Sequence, residues 1–338
     1  MTAGVKRCED GGQIAILGAG SMGRLWAALL PPSCCGFLPR LDSFSQTAEL
    51  SSSAPEDGAG HRGGFSRPEG TPETRCEYAL IRPASPDIGV ARTFVSLPWL
   101  HSAADMGLLL VTTKAGDTLS ALEGWLPHIA EDTPVVLFQN GLGSQQAVAE
   151  RWPERPVLAA STTEGANRPE PDVLVHAGTG DTWVGPLTDS ASAATESVVQ
   201  WLAQSGLQVH TENSIVQRLW QKLVVNAGIN GFTALLDCPN GAIVDAPLYR
   251  QTIDGLCTEI AALLQADTGE RATPQALRER IEAIAKSTAS NTSSMRADVN
   301  AGRKTEIDFI NGYLVQCGQR HGIATPVNQM LVQRVQAL

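Results

Sequence analysis

Three polar side chains recur at four-residue spacing within Trp220 to Asn230, which reads WQKLVVNAGIN: Lys222, Asn226 and Asn230. On an α-helix that spacing puts them on one face, drifting slowly about the axis. Leu223, Val224 and Ile229 lie off that line and can turn to a core. An ammonium and two carboxamides ranked along an otherwise apolar helix suit a small anion rich in oxygen. The plain alternative is one snorkelling lysine beside two satisfied amides.

A second chemical signal sits near the start. Gln13 to Leu17 (QIAIL) runs into GAGSMG and then RLWAALL, a strand, a tight turn and a helix start. Gly18, Gly20 and Gly23 match G-x-G-x-x-G. The first two let the backbone turn and approach a pyrophosphate, and the third lets helix pack on strand. Phosphate would sit at the helix N-terminus, where unpaired N–H groups point outward. The next strand should end near residue 40, in GFLPRLD. There Arg40 could pair with a 2′-phosphate, whereas Asp42 could accept from a free 2′-hydroxyl. Pro39 disturbs a regular central strand. Arg40, and with it NADP(H), is the preferred reading.

Two later strands end in polar residues on the edge where open α/β sheets bind ligands. Met106 to Thr113 (MGLLLVTT) is a buried apolar run ending at Lys114. Val135 to Phe138 ends in Gln139-Asn140-Gly141, where Asn140 is either a site residue or simply a turn former.

These residues need a scaffold. The chain has 338 residues, a length for about two domains, each with its own core. Hydrophobic residues make up 43% and charged residues 18%, ordinary globular values. A net charge of −10 argues against nucleic-acid or anionic-membrane partners. An anionic ligand would then depend on local cations, among which Lys114, Arg168 and Lys222 stand out. The first twelve residues carry no signal-peptide core, and no apolar run approaches the roughly 18 residues of a membrane span. The seven cysteines form no CxxC pair, so reduced thiols in the cytoplasm, with no metal site, are expected.

Further strands are expected near 77–82, 93–97, 157–163, 173–176, 182–184 and 207–210, with helices near 117–129 and 194–204. The strands at 173–176 and 182–184 read as a hairpin closing the sheet. Residues 43–76, rich in Ser, Gly and Pro, read as a flexible excursion. From Ser214 the pattern turns helical: 215–236, interrupted by Gly228 and Gly231, then 248–266, 274–286, 306–321 and a last helix after Pro326. The expected architecture is an α/β, Rossmann-type dinucleotide-binding domain over 1–212, followed by an all-α domain over 213–338.

The motifs, taken in order, resemble the 2-dehydropantoate 2-reductase (ketopantoate reductase) family. They are GAGSMG, VTTKAGD, QNGLGSQ, STTEGA, LWQKLVVNAGIN, DCPNG, NTSSM and TEIDFINGYL. The resemblance covers nearly all the chain except about residues 37–100. It implies NADPH-dependent reduction of 2-dehydropantoate to (R)-pantoate, on the route to pantothenate and coenzyme A. It places the proton donor on Lys222 and substrate contacts on Asn140, Lys222, Asn226, Asn230, Asn240, Asn291 and Ser294. Cofactor contacts fall on Gly18, Ala19, Gly20, Ser21, Met22, Gly23, Arg40, Lys114, Asn140, Ala166 and Glu306. Glu306 also joins Lys222 as a catalytic residue. The chemistry agrees: hydride reaching C2 of a 2-keto acid leaves negative charge on oxygen, and a nearby lysine can stabilise and then protonate it, worth about 10²–10⁴-fold. Burial would lower the pKa of Lys222, and Glu306 would oppose that shift. Asn291 and Ser294, three apart, would share a helical face. The assembly expected is a monomer or homodimer. The rivals are a reductase of another small 2-keto acid, which would not need the amide set, and a non-catalytic NADPH sensor, which would not need Lys222.

Overall fold

The structure is a computed structural model that describes residues 12–40, 74–85, 89–100, 102 and 106–338. The chain folds as two compact units. The first takes the chain as far as Thr113, with Asp117–Phe138 and Pro153–Thr211; the second takes Lys114–Gly116, Gln139–Trp152 and Glu212–Leu338.

The first unit opens with β1 (Gln13–Leu17), α1 (Ser21–Leu29), β2 (Cys35–Leu38), β3 (Arg75–Ser85), β4 (Gly89–Pro98) and β5 (Met106–Val111). There follow α2 (Ala115–Trp125), β6 (Val135–Leu137), α3 (Ser144–Arg151, grouped with the second unit), β7 (Val157–Thr162), β8 (Gly165–Glu170), β9 (Val173–Gly178), β10 (Asp181–Pro186), α4 (Thr195–Ala203) and β11 (Gln208–Thr211). One sheet has the order β11-β10-β7-β6-β5-β1-β2. Its strands β2, β1, β5, β6 and β7 are parallel, and β10 runs against β7. Every residue of β5 is buried, as a strand covered on both faces requires. The order reverses between β1 and β5, the place where such sheets open a ligand crevice at their carboxyl ends. The hydrophobic core draws on both sheets of this unit, with Trp26, Phe37, Tyr78, Leu174 and Trp201 at its centre.

Several expectations change here. The residues 173–176 and 182–184 do not form a hairpin, because β9 joins a second sheet, β4-β3-β9-β8, while β10 joins the first. The stretch leaving β7 is a strand, β8, which alternation could not reveal because most of its side chains are exposed. The strands near 77–82 and 93–97 are longer than expected and pair antiparallel, as β3 and β4. Pro39 disturbs nothing: β2 is an edge strand that ends at Leu38, so the missing N–H falls outside the ladder. The excursion expected over 43–76 lies outside the described residues except at its end, where Arg75 and Cys76 already belong to β3. Cys34 is disulfide-bonded rather than reduced, whereas Cys35, Cys238, Cys257 and Cys317 are free thiols.

The second unit is helical: α5 (Ile215–Leu236), α6 (Pro247–Thr268), α7 (Pro274–Ser287), α8 (Ser294–Asn300), α9 (Asn311–His321) and α10 (Pro326–Gln336). Gly228 and Gly231 do not interrupt α5, which runs its full 22 residues through them. A Cβ at Gly228 would stand 2.6 Å from Ile281 Cδ1, so glycine there lets α7 cross closely. Thr273 caps α7 by accepting from Ala276 N at 3.2 Å. The helix expected over 306–321 breaks instead: Ile307–Phe309 is a 3₁₀ turn, Ile310 leaves helical geometry, and α9 starts at Asn311. No helix among the described residues is long and apolar enough to cross a membrane.

Candidate active site

In the first unit, the turn after β1 is built as a dinucleotide cradle demands. Gly18 adopts φ +113°, and a Cβ there would meet Thr113 N at 2.7 Å. A Cβ at Gly23 would fall 2.0 Å from Gly18 O, so α1 seats directly on the turn. At Gly20 the nearest atom to such a Cβ is 4.0 Å away, and that side of the backbone is open. Gly20 caps α1 with no side-chain hydrogen bond, which leaves first-turn N–H groups for an anion. Ser21 and Met22 open this helix, and Ala19, Met22 and Ala166 rest partly buried against the core. The Ala19 carbonyl accepts from Arg24 Nε at 3.1 Å and Arg168 Nη1 at 3.4 Å, which fixes the turn. Ala166 lies on β8 opposite His176. Leu17 and Leu38 are partners in register, so exposed Arg40 follows the carboxyl end of the strand beside the glycine turn. Asp42 lies outside the described residues.

The second unit gathers the remaining charges. Glu306 accepts from the Ala115 backbone N–H at 3.2 Å and from Asn140 Nδ2 at 3.3 Å. The turn beyond Asn140 makes this possible. Gly141 has φ +81°, its missing Cβ would sit 2.0 Å from Phe309 O, and Leu142 N donates to that oxygen at 2.9 Å. Burial pushes the Glu306 carboxyl above the usual carboxylate range; the Ala115 and Asn140 donors and the Lys114 charge pull it back. Lys222 stands half-buried on α5. Desolvation lowers its ammonium from 10.5 to about 8, and the Glu306 charge opposes the fall. Lys114 donates to Asp298 Oδ2 at 2.5 Å and to the Lys304 carbonyl at 2.7 Å, while Arg303 Nε reaches the other Asp298 oxygen at 3.0 Å. Charge therefore alternates through Arg303, Asp298, Lys114, Glu306 and Lys222.

The amides divide. Asn226 is half-buried on α5, and Asn230 is buried further along it. Asn240 donates through Nδ2 to Thr288 Oγ1 at 3.0 Å, while its buried Oδ1 accepts from no group among the described residues. Asn291 and Ser294 are both exposed, and they do not share a helical face: Asn291 precedes α8, and Ser294 is its first residue. Ser293 caps that helix, accepting from Arg296 N at 3.1 Å, and its hydroxyl lies 2.7 Å from Thr233 Oγ1.

With this geometry in place, the chain can be compared with known proteins. Residues 78–189 match the family model described as ketopantoate reductase PanE/ApbA, and residues 214–338 match its C-terminal counterpart. The 2-dehydropantoate 2-reductase of Vibrio cholerae is 40% identical over 233 residues, 68% of this chain and 77% of its own length. The chain belongs to the ketopantoate reductase family. The structure of a family member from Geobacter metallireducens has TM-score 0.72 at 24% identity, covering 96% of this chain and 99% of its own. A D-mandelate dehydrogenase solved with NADH and anilino(oxo)acetate has TM-score 0.76 at 21% identity, covering 96% and 97%. At those identities the likeness is one of fold.

The family's motifs did not single out Asp298, the carboxylate that holds Lys114. Read alone, RADVN gives no sign that its aspartate turns inward; the signal available was a lysine at a strand end in an acidic chain.

Proposed function

We propose that this chain reduces 2-dehydropantoate to (R)-pantoate with NADPH, the reducing step toward pantothenate. The observation that carries the reading is a half-buried lysine, held near the titration range of neutral solution, beside a half-buried carboxylate that Asn140 and Ala115 orient. The open Gly20 backbone and the uncapped start of α1 fit a pyrophosphate, and Arg40 fits a 2′-phosphate. When bound, NADPH supplies the hydride to C2.

Lys222 stabilises the developing alkoxide and then gives it a proton, and a pKa of about 8 leaves it charged yet able to release that proton. Glu306 orients the lysine and helps to keep it charged. Asn140 acts at both substrate and cofactor, Lys114 and Ala166 at the cofactor. Asn226, Asn230, Asn240, Asn291 and Ser294 hold carboxylate and hydroxyl oxygens without adding net charge. Asn240 Oδ1, buried and without a donor among the described residues, is an acceptor suited to a substrate hydroxyl. The enzyme acts in the cytoplasm as a monomer or homodimer, which sedimentation velocity distinguishes.

The test is NADPH oxidation with 2-dehydropantoate, repeated with NADH and with unbranched 2-keto acids. A strong preference for the branched substrate is expected. The fold shared with a D-mandelate dehydrogenase makes another 2-keto acid the second reading, and equal kcat/KM for unbranched acids would favour it.

A further inference from the structure

Cys317 and His321 stand four residues apart on α9, so both side chains leave one face of that helix. Asp267, at the end of α6, meets them. Its Oδ1 lies 3.6 Å from Cys317 Sγ and 3.2 Å from His321 Nε2, and the three ligand atoms all fall within 4.8 Å of one another. Zinc–ligand bonds of about 2.0–2.3 Å in tetrahedral geometry put neighbouring ligand atoms roughly 3.3–3.5 Å apart. The two contacts to Asp267 are close to that spacing before any ion enters. Its other oxygen accepts from Trp220 Nε1 at 3.1 Å and Tyr313 OH at 3.5 Å, the kind of outer hydrogen bonds that fix a ligating carboxylate.

We propose that Asp267, Cys317 and His321 form a binding site for a thiophilic divalent cation, Zn²⁺ by preference, with water as fourth ligand. The donor set excludes magnesium and calcium, which take oxygen ligands, and suits a borderline-soft ion. Cys317 is fully buried while the His321 side chain is 32% exposed, so the ion enters from the histidine side. On binding, the Cys317 S–H bond breaks, an S–Zn bond forms and the proton leaves to solvent. One charge competes. Arg320 Nη2 stands 3.6 Å from Asp267 Oδ1 and its guanidinium lies over the Tyr313 ring; being half-exposed, it can swing into water as the ion arrives. The site is separate from the catalytic cluster and does not rest on the reaction assigned above. Through Trp220, two residues before Lys222, it nevertheless reaches the helix that carries the general acid.

Co²⁺ titration of the reduced full-length protein tests this. One equivalent should produce a thiolate-to-cobalt charge-transfer band, and Zn²⁺ should displace it. Cys317→Ser should abolish the band and weaken Zn²⁺, measured against a chromophoric chelator, by about 100-fold or more, and His321→Ala by about tenfold or more. Arg320→Gln, a surface change that spares folding, should tighten binding by removing the competing charge. A parent protein with no charge-transfer band, or a band that survives in Cys317→Ser, would overturn the proposal. So would an Arg320→Gln protein that binds more weakly.

Discussion

The sharpest consequence of the site concerns how turnover responds to alkali. Lys222 is held at about 8 against an ordinary 10.5, so keeping it charged in the folded site costs roughly 3 kcal/mol. Below that pH the general acid proposed above is loaded, and kcat for reduction should be flat; above it, kcat should fall about tenfold per pH unit. Glu306→Gln removes the anion that resists the fall, so the alkaline limb should slide to lower pH. Lys222→Ala should lose about 10²–10⁴-fold in kcat, equivalent to about 3–5 kcal/mol of transition-state stabilisation, with NADPH affinity unchanged. The assay is NADPH oxidation at saturating substrate from about pH 6 to about pH 10, with cofactor binding followed separately by fluorescence. The same ammonium acts on stability. Unfolded chains bind more protons here than folded ones between about 8 and 10.5, so the penalty is complete below that window and fades as pH rises through it. Lys222→Met should therefore melt later at neutral pH, by about 1–2 kcal/mol, while being inactive. An alkaline limb lying above the ordinary lysine range, or a Lys222→Ala enzyme within about threefold of the parent, would refute the assignment of the general acid.

Three further outcomes follow from the geometry. Arg40→Ala should raise KM for NADPH at least about tenfold and leave NADH nearly unaffected; equal loss of both would remove the 2′-phosphate role. In Gly23→Ala, a methyl is forced within 2.0 Å of the Gly18 carbonyl, a backbone atom with no room to yield. That variant should lose about 1–3 kcal/mol of stability together with cofactor binding, read by calorimetry and NADPH titration. Buried Glu259 accepts from Val327 N at 2.7 Å, Asn328 N at 3.1 Å and Asn328 Nδ2 at 2.8 Å, capping α10 from another helix. Glu259→Ala should cost about 3 kcal/mol in denaturant melts while KM for both substrates holds.

Legibility in the sequence followed the strength of the local signal. The glycine turn could be read because three glycines, a strand before and a helix after all obey one set of backbone constraints. The opening β1, α1 and β2, the buried run of β5, and the long helices after residue 214 declare themselves by apolar runs and Thr-Pro or Pro starts. The second sheet does not, because β8 is exposed and the β3–β9 pairing joins strands that lie far apart along the chain. Glu306 sits in TEIDFINGYL, which carries helical spacing, yet Ile310 leaves helical geometry and the Phe309 carbonyl accepts from Leu142 N, a partner remote in the sequence. Helical phase does not relate Asn291 to Ser294, because the helix starts only at Ser294 with Ser293 as its cap. Glu259 and Asp298 went unseen because burial of a charge is decided by distant donors, and no spacing rule reports those.

The donors on which Glu306 depends come from the middle of the chain. Ala115 and Asn140 precede the helical half by some seventy residues or more, yet both belong to it in the folded protein. A gene fragment starting at residue 212 would yield six helices and a carboxylate stranded in their midst. On the ribosome, the strand-bearing half must leave two pieces of itself waiting until the last third of the polypeptide emerges. For anyone hoping to swap halves among related reductases, the seam does not run through a single peptide bond: three stretches have to travel together, or the acid loses its bearings.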